Sequence, residues 1–186
     1  MPGLTIYPQN RAMKVPWWLT SGLSLSLLLG LVVAWAFIKP GTYNDAVIAY
    51  NQGKFDEARD IWSALAEEED AMAQYSLGRM YDLGVGVPQN DAKAAAWYKP
   101  AARKGNPYAQ GNLAVLYATG RGVEQDLVLA YMYSTLAARG YEKWAPDARE
   151  AALRNRDWVA ARMSPEELDQ AQQRIKQWLA AVRAQQ

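Results

Sequence analysis

The sequence predicts an all-α protein built from a single transmembrane helix, a short α-solenoid and C-terminal capping helices. Three observations lead to this prediction. An uncharged apolar run occupies residues 17–38, a pattern of Ala, Leu, Tyr and Gly recurs after 36 residues, and a helix-capping sequence precedes the last amphipathic stretch. A fixed spacing of this size is typical of stacked helix pairs. The 186 residues leave room for one compact domain beside the membrane segment.

Residues 17–38 are predicted to span a membrane. At about 1.5 Å per residue, a helix of this length reaches roughly 33 Å, which is enough for the hydrocarbon core of a bilayer. Trp17, Trp18 and Trp35 lie near the two ends of the run, where indole side chains prefer to sit.

The flanking charges predict the orientation of this helix. Arg11 and Lys14 precede it, whereas Lys39 is the only basic residue among the first fifteen that follow. The positive-inside rule then places residues 1–16 in the cytoplasm as a tail and the rest of the chain in the periplasm of a bacterial inner membrane. A cleaved signal peptide is the alternative, because Ala34-Trp35-Ala36 fits a cleavage site. The length of the apolar run favours an uncleaved anchor.

One side of the predicted membrane helix carries small residues at every fourth position: Gly22, Ser26, Gly30 and Ala34. Small residues at this spacing allow a second helix to approach closely. Because small residues are frequent in such helices, chance is the alternative explanation. The functional interpretation predicts a lateral helix–helix contact within the bilayer.

The internal repeat predicts the fold of residues 43–140. The segment from Ala73 to Val87 returns as Ala109 to Val123, and each copy is followed by a second, alanine-rich helical segment. Glycines are expected to end the helices in a left-handed conformation, and Asn or Asp to cap the second helices. The expected C-cap glycines are Gly84, Gly105, Gly120 and Gly140, and the expected N-caps are Asn90 and Asp126.

These motifs resemble the Sel1-like repeat family, which is related to the tetratricopeptide repeats. The matching segments are Ala73 to Tyr81, Gly84 to Val87 and Ala94 to Gly105. The last copy departs from the family pattern at Ala114, where Gly is usual, and at Tyr133-Ser134, where Trp-Tyr is usual. The first unit, around residues 53–58, looks more like a tetratricopeptide helix pair. The resemblance implies an α-solenoid that binds other proteins. Because His and Cys are missing, no catalytic residue and no cofactor are expected, and an enzyme is the third hypothesis.

Residues 141–186 are predicted to cap the solenoid with two helices. The first runs from Pro146 to Arg162, and Ser164-Pro165-Glu166-Glu167 is a capping box that opens the second, which extends to about Ala184. Its predicted buried stripe consists of Leu168, Ala171, Ile175, Trp178, Leu179 and Val182.

Composition excludes several classes of function. The chain has no Cys and no His, so disulfides, thiolate metal sites and the commonest general base are absent from the sequence. With 20 basic and 19 acidic residues it is not expected to bind nucleic acid. Residues 41–91 hold 3 basic and 10 acidic residues, whereas residues 92–186 hold 14 and 9. This asymmetry is either ordinary surface variation or a pair of oppositely charged faces for different partners.

The sequence therefore favours a non-catalytic accessory or scaffolding subunit of a bacterial inner-membrane complex. Respiratory-chain assembly is the first expectation for that complex, followed by secretion or polysaccharide export. The alternative is a stand-alone membrane-tethered adaptor or assembly factor that binds clients transiently. Expected partners are proteins, chiefly integral membrane subunits, held in a groove of the first helices. Helical spacing predicts that the outward-facing positions of this groove include Gln74, Tyr75, Arg79, Asp82, Gln110 and Val115. The alternative is that some of them face solvent without contacting a partner.

Overall fold

A computed structural model describes residues 41–141 and 145–184. Every regular element within these ranges is an α-helix, which confirms the all-α prediction for this part of the chain. The helices are α1 Tyr43–Asn51, α2 Phe55–Glu67, α3 Ala71–Leu83, α4 Asp91–Arg103, α5 Pro107–Thr119, α6 Leu127–Gly140, α7 Pro146–Ala160 and α8 Pro165–Ala184.

The predicted cytoplasmic tail and transmembrane helix, residues 1–38, lie outside the described residues. The helix-packing positions Gly22, Ser26, Gly30 and Ala34 lie outside them as well. Within residues 41–141 and 145–184, none of the helices combines the length and the apolar character needed to cross a bilayer.

The helices form consecutive hairpins that stack along the chain. From α1 to α7 each helix packs against the next, while α8 turns back and packs against α6. The first helices α3 and α5 of neighbouring hairpins also touch, and α5 touches α7. Many buried contact positions are alanines, among them Ala94, Ala101 and Ala109, whose relative exposure is 0%. These small side chains let neighbouring helix axes come close together.

The predicted helix caps are confirmed with one exception. The side chains of Asn90 and Asp126 accept the backbone N–H of Lys93 and Leu129 at 2.9 and 2.8 Å, as N-caps do. The glycines that follow α3, α4 and α5 adopt left-handed φ angles of 68°, 87° and 71°.

Gly140 is the exception, because it belongs to the last turn of α6 and does not end that helix in a left-handed conformation. The C-cap is Tyr141, whose backbone is extended. A Cβ at position 140 would lie 2.9 Å from the Cβ of Pro107. The physical reason for glycine here is therefore the close approach of α5.

The two C-terminal helices form as the sequence predicts. In the capping box, Ser164 N–H donates to Glu167 Oε2 at 2.7 Å and Glu167 N–H donates to Ser164 Oγ at 3.2 Å. Ala171 and Ile175 are buried, and the remaining members of the predicted stripe are half-buried. Ile175 packs with Met132 and Leu136 of α6. The stacking of hairpins therefore ends on α8, whose other face is polar.

Candidate protein-binding face

The first helices of the three hairpins, together with α7, share one continuous surface, which we call the first-helix face. Its members are half-buried or exposed side chains of α1, α3, α5 and α7: Tyr43, Val47, Tyr75, Arg79, Tyr108, Val115, Asn155 and Trp158. Three contacts establish its continuity. Tyr43 and Arg79 line one pocket between α1 and α3, the rings of Tyr75 and Tyr108 meet between α3 and α5, and Val115 and Trp158 line a pocket between α5 and α7.

Tyrosine rings form the middle of the first-helix face. The ring centroids of Tyr75 and Tyr108 are 5.6 Å apart, and those of Tyr108 and Tyr141 are 5.2 Å apart with an edge-on geometry. Burial raises the pKa of Tyr75, and it raises the pKa of Tyr141 to about 12. These hydroxyls therefore stay neutral at physiological pH. The guanidinium carbon of Arg79 lies 6.0 Å from the Tyr75 ring centroid and adds a positive charge beside the aromatic surface.

Four of the predicted groove residues have side chains that reach the surface. Tyr75 and Asp82 are half-buried, whereas Arg79 and Val115 are exposed. Whether they contact a partner stays a prediction. Sequence spacing alone did not identify Tyr108 or Trp158, although Trp158 is 47% exposed and lies on the same surface.

The prediction that Gln74 and Gln110 face outward is wrong, because only 5% and 1% of their surfaces are exposed. Each side chain instead donates a hydrogen bond to a backbone carbonyl near the C-terminal end of the preceding helix. Gln74 Nε2 donates to the carbonyl of Ala66 at 3.3 Å, and Gln110 Nε2 donates to that of Ala102 at 3.0 Å. The last carbonyls of a helix have no partner within the helix, so a buried donor is favourable there. Gln recurs at the same position of both repeats, and this recurrence could have indicated a structural role inside the fold.

A polar network joins the two repeats beneath the first-helix face. The Tyr98 hydroxyl, which comes from α4, donates to Asp82 Oδ2 at 3.2 Å and accepts from Asn112 Nδ2 at 2.9 Å. Arg121 Nη2 bonds Asp82 Oδ1 at 3.2 Å and Asp91 Oδ1 at 2.7 Å. Burial raises the pKa of the Tyr98 hydroxyl, and the hydrogen bond with Asp91 raises the pKa of Arg121. Asp82 is therefore engaged inside the protein and is not freely available to a partner.

A second surface is a basic open cleft between α6, α7 and α8, with a volume of about 870 Å³. Its lining includes the cationic residues Arg139, Arg149, Arg156 and Lys176 and no acidic residue. Within the described ranges, no cluster of three or more Asp, Glu, His or Cys side chains is placed to hold a metal ion.

Comparison with known proteins identifies the repeats. The family model described as the Sel1 repeat matches residues 71–106 and 107–140, which are the α3–α4 and α5–α6 hairpins. These two segments are Sel1 repeats. Sel1 repeats are generally protein-interaction modules, so the coarse functional prediction agrees with the family.

Three proteins are similar to parts of this chain. The ERAD-associated E3 ubiquitin-protein ligase component HRD3A of Arabidopsis thaliana is 33% identical over 80 residues, which are 42% of this chain and 12% of that protein. A protective antigen of uropathogenic Escherichia coli strains, with an SLR fold, matches 74% of this chain and 29% of its own, at 26% identity and a TM-score of 0.65. A Sel1 repeat protein from Oxalobacter formigenes matches 63% of this chain and 56% of its own, at 24% identity and a TM-score of 0.52. This chain therefore spans only part of each.

Proposed function

We propose that this chain is a non-catalytic accessory or scaffolding subunit of a bacterial inner-membrane complex. In this proposal residues 17–38 anchor the chain in the bilayer, and the Sel1 repeats hold a partner protein in the periplasm. The observation that carries the proposal is the first-helix face, where tyrosines, a tryptophan and an arginine form one surface across four helices. Tyr, Trp and Arg are the residue types that contribute most to binding at protein interfaces.

Two further observations support membership of a larger assembly. HRD3A is by its name a component of a multi-part ligase, so a related repeat serves there within an assembly. The small residues Gly22, Ser26, Gly30 and Ala34 would allow an integral membrane subunit to pack against the anchor. Respiratory-chain assembly remains the first candidate, with secretion and polysaccharide export next.

The central experiment is purification of the tagged full-length chain in mild detergent, followed by mass spectrometry of the co-purifying proteins. Arg79→Glu reverses a charge on the first-helix face, and we expect it to remove the partner. Arg174→Glu is the matched control, because it makes the same charge change at an exposed position of α8. A chain that purifies without stoichiometric companions would contradict the subunit proposal. Equal recovery of partner with both variants would contradict the assignment of the face.

The membrane contact has its own test. Gly30→Leu places a bulky side chain on the small-residue stripe and should reduce recovery of membrane partners, whereas Ser24→Leu lies off the stripe and should not. If Gly30→Leu leaves the companions unchanged, the stripe is not a packing surface.

The second candidate is a membrane-tethered adaptor that engages clients transiently. The mixed character of the first-helix face favours it, because obligate interfaces are more uniformly apolar than a surface containing Arg79, Asn155 and several hydroxyls. An adaptor predicts that clients are recovered only after crosslinking in cells. A subunit predicts that they remain bound through purification without crosslinker.

A further inference from the structure

The last helix departs from the packing order of the helices before it. α8 follows α7 after residues 161–164, yet both helices pack on α6 and make little contact with each other. The ring of Trp178 shows the direction of this departure. Its Cη2 lies 3.8 Å from the position that a Cβ of Gly105 would take, in the turn after α4. α8 therefore lies towards the preceding hairpin, and the basic cleft remains between α8 and α7.

The basic cleft has the form of a groove with one floor and two walls. The floor is a stripe of α6, and each wall is a stripe whose members are three or four residues apart and so share one helix face. The walls include Arg149, Leu153 and Arg156 of α7, and Ile175, Lys176 and Leu179 of α8. Each stripe covers about two helical turns, or about 11 Å.

The dimensions of the cleft fit two turns of one additional helix. A helix about 10 Å in diameter and about 11 Å long occupies roughly 860 Å³. The cleft has a volume of about 870 Å³. Moreover, α1, α3 and α5 each pack against the helix that follows them, whereas α7 has little contact with α8. A helix supplied by another molecule would give α7 the packing that it lacks within the described residues.

The floor and both walls offer apolar surface to a ligand. Leu153 of α7 and Leu179 of α8 line the cleft and are half-buried. On the floor, the Thr135 hydroxyl donates to the carbonyl of Tyr131 at 2.9 Å, so this hydroxyl already has a hydrogen-bond partner. The cleft therefore contains an apolar strip on which apolar side chains of a ligand can pack.

Four cations surround this strip, and none of the described lining residues is acidic. Arg139, Arg149, Arg156 and Lys176 come from all three helices; Arg156 also donates to the neighbouring Asp157 carboxylate at 2.6 Å. Arg149 and Arg156 are separated along α7 by about 11 Å, which exceeds the size of one phosphate group. A ligand that pairs with all of these cations needs several negative charges along its length.

We propose that the basic cleft between α6, α7 and α8 binds an acidic amphipathic α-helix of a partner protein. The apolar side chains of this helix lie on Leu153 and Leu179, and its Glu or Asp side chains pair with Arg149 and Lys176. Apolar anchors at i, i+3, i+4 and i+7 are the usual mode by which a helix binds in a groove. The cleft shares no residue with the first-helix face, so it adds a second binding surface to the proposed function.

The first test measures binding of a synthetic peptide to the full-length chain in mild non-ionic detergent by fluorescence anisotropy, corrected for micelles without protein. The peptide has about fourteen residues of Leu, Ala and Glu, with its leucines on one helical face. We expect saturable binding that weakens as NaCl is raised. A peptide with the same composition but scattered leucines should bind at least about tenfold more weakly. Equal binding of the scattered peptide, or no saturable binding up to about 1 mM, would overturn the inference.

The second test reverses two cations of the cleft. Arg149→Glu with Lys176→Glu should weaken peptide binding at least about tenfold and remove most of its salt dependence. Arg174→Glu with Arg183→Glu is the matched control, because it makes the same charge change at two exposed positions of α8 that do not line the cleft. Equal weakening by the two double variants would mean that only the overall charge matters, and the inference would be overturned.

The third test removes part of the apolar strip. Leu153→Gln should weaken peptide binding by about tenfold, the effect of losing part of the burial of one leucine. Leu168→Gln is the control, since Leu168 is also half-buried but does not line the cleft. If Leu153→Gln loses its helical circular dichroism signal, Leu179→Gln replaces it with the same expectation. Unchanged binding in a folded strip variant would contradict a helix seated on these leucines.

Two other occupants have separate readouts. Inorganic phosphate and a short-chain phosphatidylglycerol should leave the peptide bound, and displacement by either at the same concentration would assign the cleft to phosphate groups. Light scattering should show no self-association that depends on Arg149 and Lys176. If such self-association is found, the occupant is a second copy, whose residues 41–91 hold 10 acidic and 3 basic side chains, and the partner proposal is overturned.

Photocrosslinking in cells identifies the natural occupant. Benzoylphenylalanine replaces Gln172, which lines the cleft, or its exposed neighbour Gln173, which does not. We expect a crosslink from position 172 to an acidic amphipathic segment of another protein, lost in Arg149→Glu with Lys176→Glu and weak from position 173. A crosslinked segment that is basic, or a crosslink to lipid, would overturn the proposal.

The two binding surfaces can fail separately. If the acidic peptide does not bind while Arg79→Glu still removes the co-purifying partner, this inference fails and the proposed function stands. If the peptide binds and position 172 crosslinks to an acidic helix, but the tagged chain purifies without stoichiometric companions, the subunit proposal fails and the cleft assignment stands.

Discussion

Gly122→Ala is predicted to separate the two Sel1 repeats by forcing the loop after α5 away from the start of α4. Gly122 has a φ of 66°, and a Cβ at this position would lie 2.2 Å from the carbonyl carbon of Asp91 and 2.4 Å from the nitrogen of Ala92. Both obstacles are backbone atoms, which cannot move without disturbing α4. The same contact exists one repeat earlier, where a Cβ at Gly86 would lie 2.3 Å from the Cβ of Phe55. In both places the glycine allows the loop of one hairpin to pack closely against the preceding hairpin.

The expected loss of stability has two parts. The left-handed conformation costs a residue with a Cβ about 1–2 kcal/mol. Overpacking against a rigid neighbour typically costs about 1–3 kcal/mol. Together they lower the free energy of unfolding by about 3 kcal/mol, which corresponds to a fall in Tm of roughly 6–12 °C for a domain of this size.

Urea and thermal denaturation followed by circular dichroism at 222 nm measure this loss. Gly53→Ala is the control. Gly53 also has a left-handed φ, of 77°. Among the described residues, no neighbouring atom lies within 4 Å of the position that its Cβ would take. Gly53→Ala therefore carries only the cost of the left-handed backbone conformation. We expect this control to lose about 1–2 kcal/mol. If Gly122→Ala is no more destabilising than Gly53→Ala, the packing of the two hairpins does not depend on the close approach of Gly122 to the backbone of Asp91 and Ala92, and the reasoning is refuted.

Three further predictions concern other contacts of the repeats. Tyr98→Phe removes the hydroxyl that bonds two side chains in the buried network, and it should lower the free energy of unfolding in urea by about 1–2 kcal/mol. Asp126→Ala removes the N-cap acceptor of α6 and should cost about 1 kcal/mol in the same assay. Lys104→Met removes the hydrogen bond and ion pair that lower the pKa of the Glu69 carboxyl. Folding lowers the pKa of Glu69. The ion pair therefore stabilises the folded state at pH values above the ordinary pKa of glutamate, and this stabilisation is lost as the pH falls through the lowered pKa. The difference in Tm between wild type and Lys104→Met should therefore shrink in acid.

Each of these predictions has a conservative control. Tyr50→Phe removes a hydroxyl that has no hydrogen-bond partner among the described residues, and it should cost less than Tyr98→Phe. Asp126→Asn retains the cap acceptor and should be nearly neutral. Lys104→Arg retains the charge and should preserve the pH dependence. A control that behaves like its test variant would contradict the corresponding argument.

The sequence by itself determined the helices and their order. Their ends are local features, since Asn90, Asp126 and Ser164 cap the residues that immediately follow them, and the glycines after α3 and α5 need only their own backbone freedom. The recurrence after 36 residues then indicated which helices pair. Such signals depend on residues close together in the chain, so they can be read without knowledge of the fold.

Only the tertiary structure decided which side chains lie at the surface and what the spaces between hairpins contain. Gln74 and Tyr75 are neighbours in sequence, yet the first is buried because a carbonyl of α2 needs a donor, and the second lies on the first-helix face. Gly140 is required by Pro107 of another helix, and the pocket lined by Val115 and Trp158 exists only because α5 and α7 lie beside each other. The physical reason is that exposure, close approach and cavities are properties of two or more helices packed together. A pattern along one helix predicts which residues share a face of that helix, but it does not show which other helix packs against that face.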